Sequence, residues 1–89
     1  MKSCAIDGAK LADAAAVYRE LATAFNAPGY FGNNPDALWD AITEYSGEPV
    51  EIVWLAAARS AELLGQRFRE IITVLEAAAA EGRLTLRRE

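Results

Sequence analysis

Val50-Glu51-Ile52-Val53-Trp54 is the segment on which the fold turns. It is β-branched and aromatic, it is short, and it follows Pro49, which reads as a strand. Upstream, Gly47 and Pro49 close a helix that opens at Asn34-Pro35. Asn is a favoured N-cap. Pro is favoured at the first helical position, where its missing N–H would have no intrahelical partner. The spacing predicts this helix from Pro35 to about Tyr45. Before it, Ala27 to Asn33 holds one Pro and two Gly and no periodic apolar face, so it is a loop. Asp13 predicts the cap of an earlier helix over Ala14 to Asn26, whose apolar face is Val17, Leu21 and Phe25 with Ala14 and Tyr18 beside them. Lys2 to Ile6 opens the chain as a short apolar strand ended by the turn residues Asp7-Gly8.

Downstream of Trp54 the period changes again. Leu55 to Leu64 reads as helical and is interrupted at Gly65. Gln66 to Glu81 is a longer helix with Phe68, Ile71, Ile72 and Leu75 on one face, and Gly82 stands where a terminal cap glycine belongs. Arg83 to Arg87 alternates as a half-buried edge strand would. The order is strand, helix, helix, strand, helix, helix, strand. Strands joined by helical crossovers pair in parallel. The expectation is a single α/β domain over residues 1–89, with a three-stranded parallel sheet packed with about four helices. Trp54, in the middle of it, is expected to be core.

Composition narrows the function. At 89 residues the chain has room for one modest core. Hydrophobic residues make up 53% and charged residues 25%, a globular balance. The apolar runs fall far short of the roughly 20 residues of a membrane span, and no secretory signal is visible, so a cytoplasmic protein is expected. Cys4 is alone, which excludes an internal disulfide and suggests a small buried hydrophobe in a strand. There is no His. That removes His-based nucleophile pairs, His general bases and the common zinc sites. No residue pattern calls for a cofactor or a metal. The net charge is −4, from 13 acidic and 9 basic residues, which suits a basic partner better than nucleic acid.

The helix after Asn34 carries most of the functional information. At about 100° per residue, with Asp36 at the origin, Leu38, Ala41, Ile42 and Tyr45 fall between roughly 140° and 240° and form the core face. Asp36, Asp40 and Thr43 line the opposite face, and Trp39 stands at the border. Asp36 lies in the first turn, where the helix macrodipole favours a negative charge. Asp40 has no such support: mid-helix Asp is a poor helix former, and Asp36 repels it from four residues away. The stripe can be read as an ordinary solvated face, as a contact surface for a basic partner, or as a carboxylate pair for acid–base or divalent-metal chemistry. The last would need a concave pocket and further ligands. Trp39, Tyr45, Tyr30 and Phe31 add aromatic surface around the acids, as anchors of an interface or as cover for the core edge.

The run Gly29-Tyr30-Phe31-Gly32-Asn33-Asn34-Pro35-Asp36-Ala37-Leu38-Trp39-Asp40 resembles the signature of the barstar family of ribonuclease inhibitors. That signature is an aromatic pair and Gly, an Asn two residues on, then Asp-Ala-Leu-Trp-Asp. The similarity extends to Asp7-Gly8, to the strand ending at Trp54 and to Ala80-Glu81-Gly82. It implies a three-stranded parallel sheet with four helices, and an inhibitor rather than an enzyme. Such a protein is made beside a secreted ribonuclease and keeps any intracellular copy inactive. By this resemblance, Asp40 would enter the nuclease's phosphate-binding site and pair with its Arg and His side chains, and Asp36 would meet neighbouring basic groups. Tyr30, Trp39 and Thr43 would pack around the contact, with Asn34 and the backbone at Gly32 closing it.

The periphery departs from the family pattern. Phe31 replaces a Tyr, Tyr45 replaces a Trp, and Gly47 and Ala77 occupy places of acidic contacts, with Glu76 next to the second. Phe31, Tyr45 and Glu76 complete the expected partner-binding set. The implied partner is a basic, extracellular-type ribonuclease of the barnase kind or a related toxin nuclease domain. No direct nucleic-acid or membrane contact is expected, and the free form is expected to be a monomer. The alternatives are immunity against a different toxin and a regulatory interaction module without inhibitory activity.

Overall fold

The structure is a computed structural model, which describes residues 2–28 and 32–89. Its elements run β1 (Lys2–Asp7), α1 (Ala14–Ala24), α2 (Pro35–Glu44), β2 (Val50–Leu55), α3 (Ala57–Leu64), α4 (Gln66–Ala80) and β3 (Leu84–Arg88). The strands form one sheet in the order β1-β2-β3, and both pairings are parallel. The expected α/β architecture of three parallel strands and four helices is therefore present. Two helices fill each crossover, because the strands must run the same way and the chain has to return past the sheet.

The central strand alternates as a one-sided sheet requires. Val50, Ile52 and Trp54 are buried, Glu51 and Val53 are half-buried, and Leu55 is exposed. Ile6 registers with Trp54, and Leu84 with Val50, so the three strands share one buried layer. The helices complete it. Val17, Leu21 and Phe25 come from α1 and its end, Leu38 and Ile42 from α2, and Phe68, Ile71, Ile72 and Leu75 from α4. These are the apolar faces that the sequence periods mark out. Each fully buried large side chain of this set stabilises by about 1.5–3 kcal/mol relative to exposure.

Trp54 is core: its exposure is 0%, and its ring meets Phe68 edge-on at 5.3 Å between centroids. Its indole N–H donates to Ser60 Oγ at 2.8 Å. Ser60, fully buried in α3, thereby gives the buried donor its partner. Gly8 makes this node possible. A Cβ at that position would collide with Ser60 Oγ and come within 2.6 Å of the Leu55 carbonyl oxygen, which accepts a hydrogen bond from the Gly8 N–H at 2.8 Å.

Several boundaries differ from the sequence expectation, each for a local reason. The first helix ends at Ala24, two residues early: Asn26 turns left-handed (φ 62°), and the Asn26 and Ala27 N–H groups donate back to the Thr23 and Ala22 carbonyls. The third helix begins at Ala57, not Leu55, because Leu55 stays in the sheet opposite Asp7 and Ala56 makes the corner at φ 54°, ψ 48°. The last helix ends at Ala80. Gly82 then closes a Schellman turn (φ 77°), which takes the Arg83 N–H for the Ala78 carbonyl and moves the start of the last strand to Leu84. Cys4 is half-buried against the core rather than fully buried. Burial, with a smaller push from Glu20 and an opposing pull from Lys2, raises its thiol pKa above the ordinary value of 9.0. Burial thus favours the protonated thiol over the thiolate.

Candidate protein-binding face

Helix α2 is positioned by its N-terminal cap and its buried face. Asn34 Oδ1 accepts the Ala37 N–H at 2.8 Å, and Pro35 starts the first turn, so the entry geometry is set by the two residues that announce it in the sequence. Leu38, Ala41 and Ile42 are buried, and the helix rests chiefly on α4 and also on α1. The helical period places Tyr45 on the same buried face. It is instead the C-cap residue, at the end of the helix, and is 37% exposed.

On the opposite side Asp36 and Asp40 are exposed. Among the described residues neither carboxylate has an ion-pair partner or a hydrogen-bond donor. A third acid, absent from the expected binding set, joins them. Glu44 stands four residues beyond Asp40 and is likewise exposed and unpaired among the described residues. Its signal is in the sequence, since Asp36, Asp40 and Glu44 follow the i, i+4, i+8 spacing of one helix face. The helix contains no basic residue at all. The macrodipole favours Asp36 in the first turn, but Asp40 gains nothing from it, Glu44 stands at its negative end, and the like-charge neighbours four residues apart work against helix stability.

Thr43 is half-buried, and its hydroxyl donates to the Trp39 carbonyl at 3.0 Å, so the side chain is held against its own helix. Trp39 is half-buried and packs against the core cluster at the edge of the acidic face. The guanidinium carbon of Arg83 lies 6.0 Å from its ring centroid. Gly32 is exposed before the helix; a Cβ there would come within 2.9 Å of Asn34 Nδ2. Tyr30 and Phe31 lie outside the described residues. Glu76 is exposed on α4, but its carboxylate receives the Arg88 guanidinium of β3 at 3.1 Å. It is thus engaged within the protein, unlike the acids of α2. Gly47 is exposed, and a Cβ there would meet nothing within 4 Å. Ala77 is exposed on α4.

A cleft of about 440 Å³ lies between α1 and α2, lined by Tyr18, Thr23, Gly32, Ala37 and Ala41 among others. Asp36 and Asp40 are absent from its lining and are exposed. No group of three or more Cys, Asp or Glu side chains suited to a metal ion occurs among the described residues. No helix among them is long and apolar enough to cross a membrane. What the α2 face can do chemically is offer carboxylates to cations brought to it by another molecule.

The chain is thus a small parallel α/β domain with an exposed acidic helix. The family model described as barstar (barnase inhibitor) matches residues 1–88 of the chain. The chain belongs to that family, whose members are inhibitors rather than enzymes. It is also 28% identical over 81 residues to YrdF of Bacillus subtilis (strain 168), a protein named "putative ribonuclease inhibitor". The alignment covers 91% of this chain and 89% of YrdF.

Proposed function

We propose that this protein is an intracellular inhibitor of a microbial ribonuclease, which it blocks by laying the acidic face of α2 and the loop before it over the nuclease's basic active site. The observation that carries this reading is the pair of exposed carboxylates, Asp36 and Asp40, that no described residue neutralises on a helix without a cation. A site built to bind RNA phosphates is basic. Carboxylates spaced along a rigid helix stand in for those phosphates, and their field draws the two proteins together; the barnase–barstar pair is itself a standard example of such steering. Asp40, at the centre of the face, takes the phosphate-binding subsite. Asp36 meets basic groups at its margin, and Trp39, Thr43 and Tyr45 pack around the contact. Membership of the barstar family and the name carried by YrdF support the same reading.

The test is a titration of the purified chain into barnase, following RNA cleavage at low and moderate salt. Stoichiometric inhibition that weakens with salt is the expected result. Cleavage that continues unchanged with the chain in excess would sink the reading for a barnase-type target.

A further inference from the structure

We propose that Arg83 is a positioning residue of the binding face, acting through Trp39. The inference rests on the inhibitor reading above. Trp39 directly precedes Asp40 and stands where the core side of α2 meets its acidic side, so the orientation of its indole sets the surface a partner meets beside the central carboxylate. The ring is half-buried and packs on one side against the core cluster. A second contact comes from the other end of the chain. Arg83 lies between α4 and β3, and its backbone is tied down by the Gly82 turn, with its N–H donating to the Ala78 carbonyl at 3.0 Å. Its Nε donates to Glu81 Oε1 at 2.8 Å, which directs the guanidinium. The guanidinium carbon then sits over the Trp39 ring, at a distance where a cation is attracted by the face of an indole.

Two consequences separate this role from a merely structural one. The stack orders Trp39 before a partner arrives, so its loss speeds dissociation. Arg83 also places a cation at the rim of an acidic face, so its loss leaves association with a basic partner unharmed or slightly faster.

The experiment compares the parent, Arg83→Ala, Trp39→Leu and the double variant for association with and dissociation from barnase. Acrylamide quenching of the free proteins is measured alongside. Because Trp54 is fully buried, quencher-accessible emission reports Trp39. Arg83→Ala is expected to raise that accessibility and to speed dissociation about 2- to 5-fold. Association should rise by no more than about twofold. In the Trp39→Leu background, Arg83→Ala should leave dissociation unchanged. A parental dissociation rate for Arg83→Ala, or an equal effect with and without Trp39, overturns the assignment while the inhibitor reading stands. A parent that does not bind barnase overturns the inhibitor reading for a barnase-type target and this role with it.

Discussion

The outer face of α2 and the corner where β2 passes into α3 treat their polar groups in opposite ways. At the corner each polar atom is engaged: the Trp54 indole N–H meets Ser60 Oγ, and the Gly8 N–H meets the Leu55 carbonyl. No buried side-chain nitrogen or oxygen among the described residues lacks a partner. On α2 the carboxylates of Asp36, Asp40 and Glu44 meet no described side chain. Other acids show that this is not the habit of the whole surface. Glu62, Glu76, Glu81 and Glu89 each pair with an Arg in α3, α4, β3 or next to them. Glu20, Glu48 and Glu70 are also without an ion pair among the described residues, so it is the shared helix face of the three α2 acids that sets them apart.

Asp40 puts this contrast at greatest risk. Replacing it with Ala should weaken ribonuclease binding by about 30-fold or more, the threshold of an interface hot spot. Its thermal unfolding should stay within about 0.5 kcal/mol of the parent or improve slightly, since a like-charge contact disappears. Titration and calorimetry on the same preparation check both halves. A loss of stability in parallel with binding would mean that Asp40 belongs to the first kind of region, not the second.

Ser60→Ala is the mirror experiment. It leaves the Trp54 N–H buried without an acceptor and should cost about 1–3 kcal/mol in denaturant unfolding. The folded fraction should bind with parental affinity. Gly8→Ala, which drives a methyl group into the same corner, should be destabilising in the same sense. Reduced affinity in fully folded Ser60→Ala would show that the corner and the α2 face are coupled.

Asp36→Ala refines the picture within α2. It should slow association several-fold at low salt, and the effect should fade as ionic strength rises, because steering is screened over about 10 Å at 0.1 M. Stopped-flow association across a salt series measures it. Glu76→Ala should change binding and stability little, as its exposed pair with Arg88 contributes about 0–1 kcal/mol. A Glu76→Ala effect as large as that of Asp40→Ala would end the distinction between engaged and available acids. The smallest change is expected at Ala56, a non-glycine residue at φ 54°. Ala56→Gly relieves the left-handed strain but gains unfolded-chain entropy, leaving a net stabilisation below about 1 kcal/mol, readable as a small rise in Tm.

Element order, the parallel sheet and the location of the acidic face are all legible in the sequence alone. They are written in short-range signals: the caps at Asp13 and Asn34, the cap glycine at Gly82, the β-branched run Val50–Val53, and the apolar periods that place Leu38, Ala41 and Ile42 inward and Asp36 and Asp40 outward. Such signals can be read because helix period and capping act over about four residues. Where the period is extended past its element it misleads, as at Tyr45 and Leu55, since only the packed structure fixes where a helix or strand stops. Which charges are engaged is likewise settled only by the assembled fold. Glu76 meets Arg88 across two elements, Arg83 reaches Trp39 from the far end of the chain, and Trp54 finds its acceptor only after α3 folds back over the sheet. Charge pairing of this kind depends on distances between elements remote in the chain, which no local period encodes.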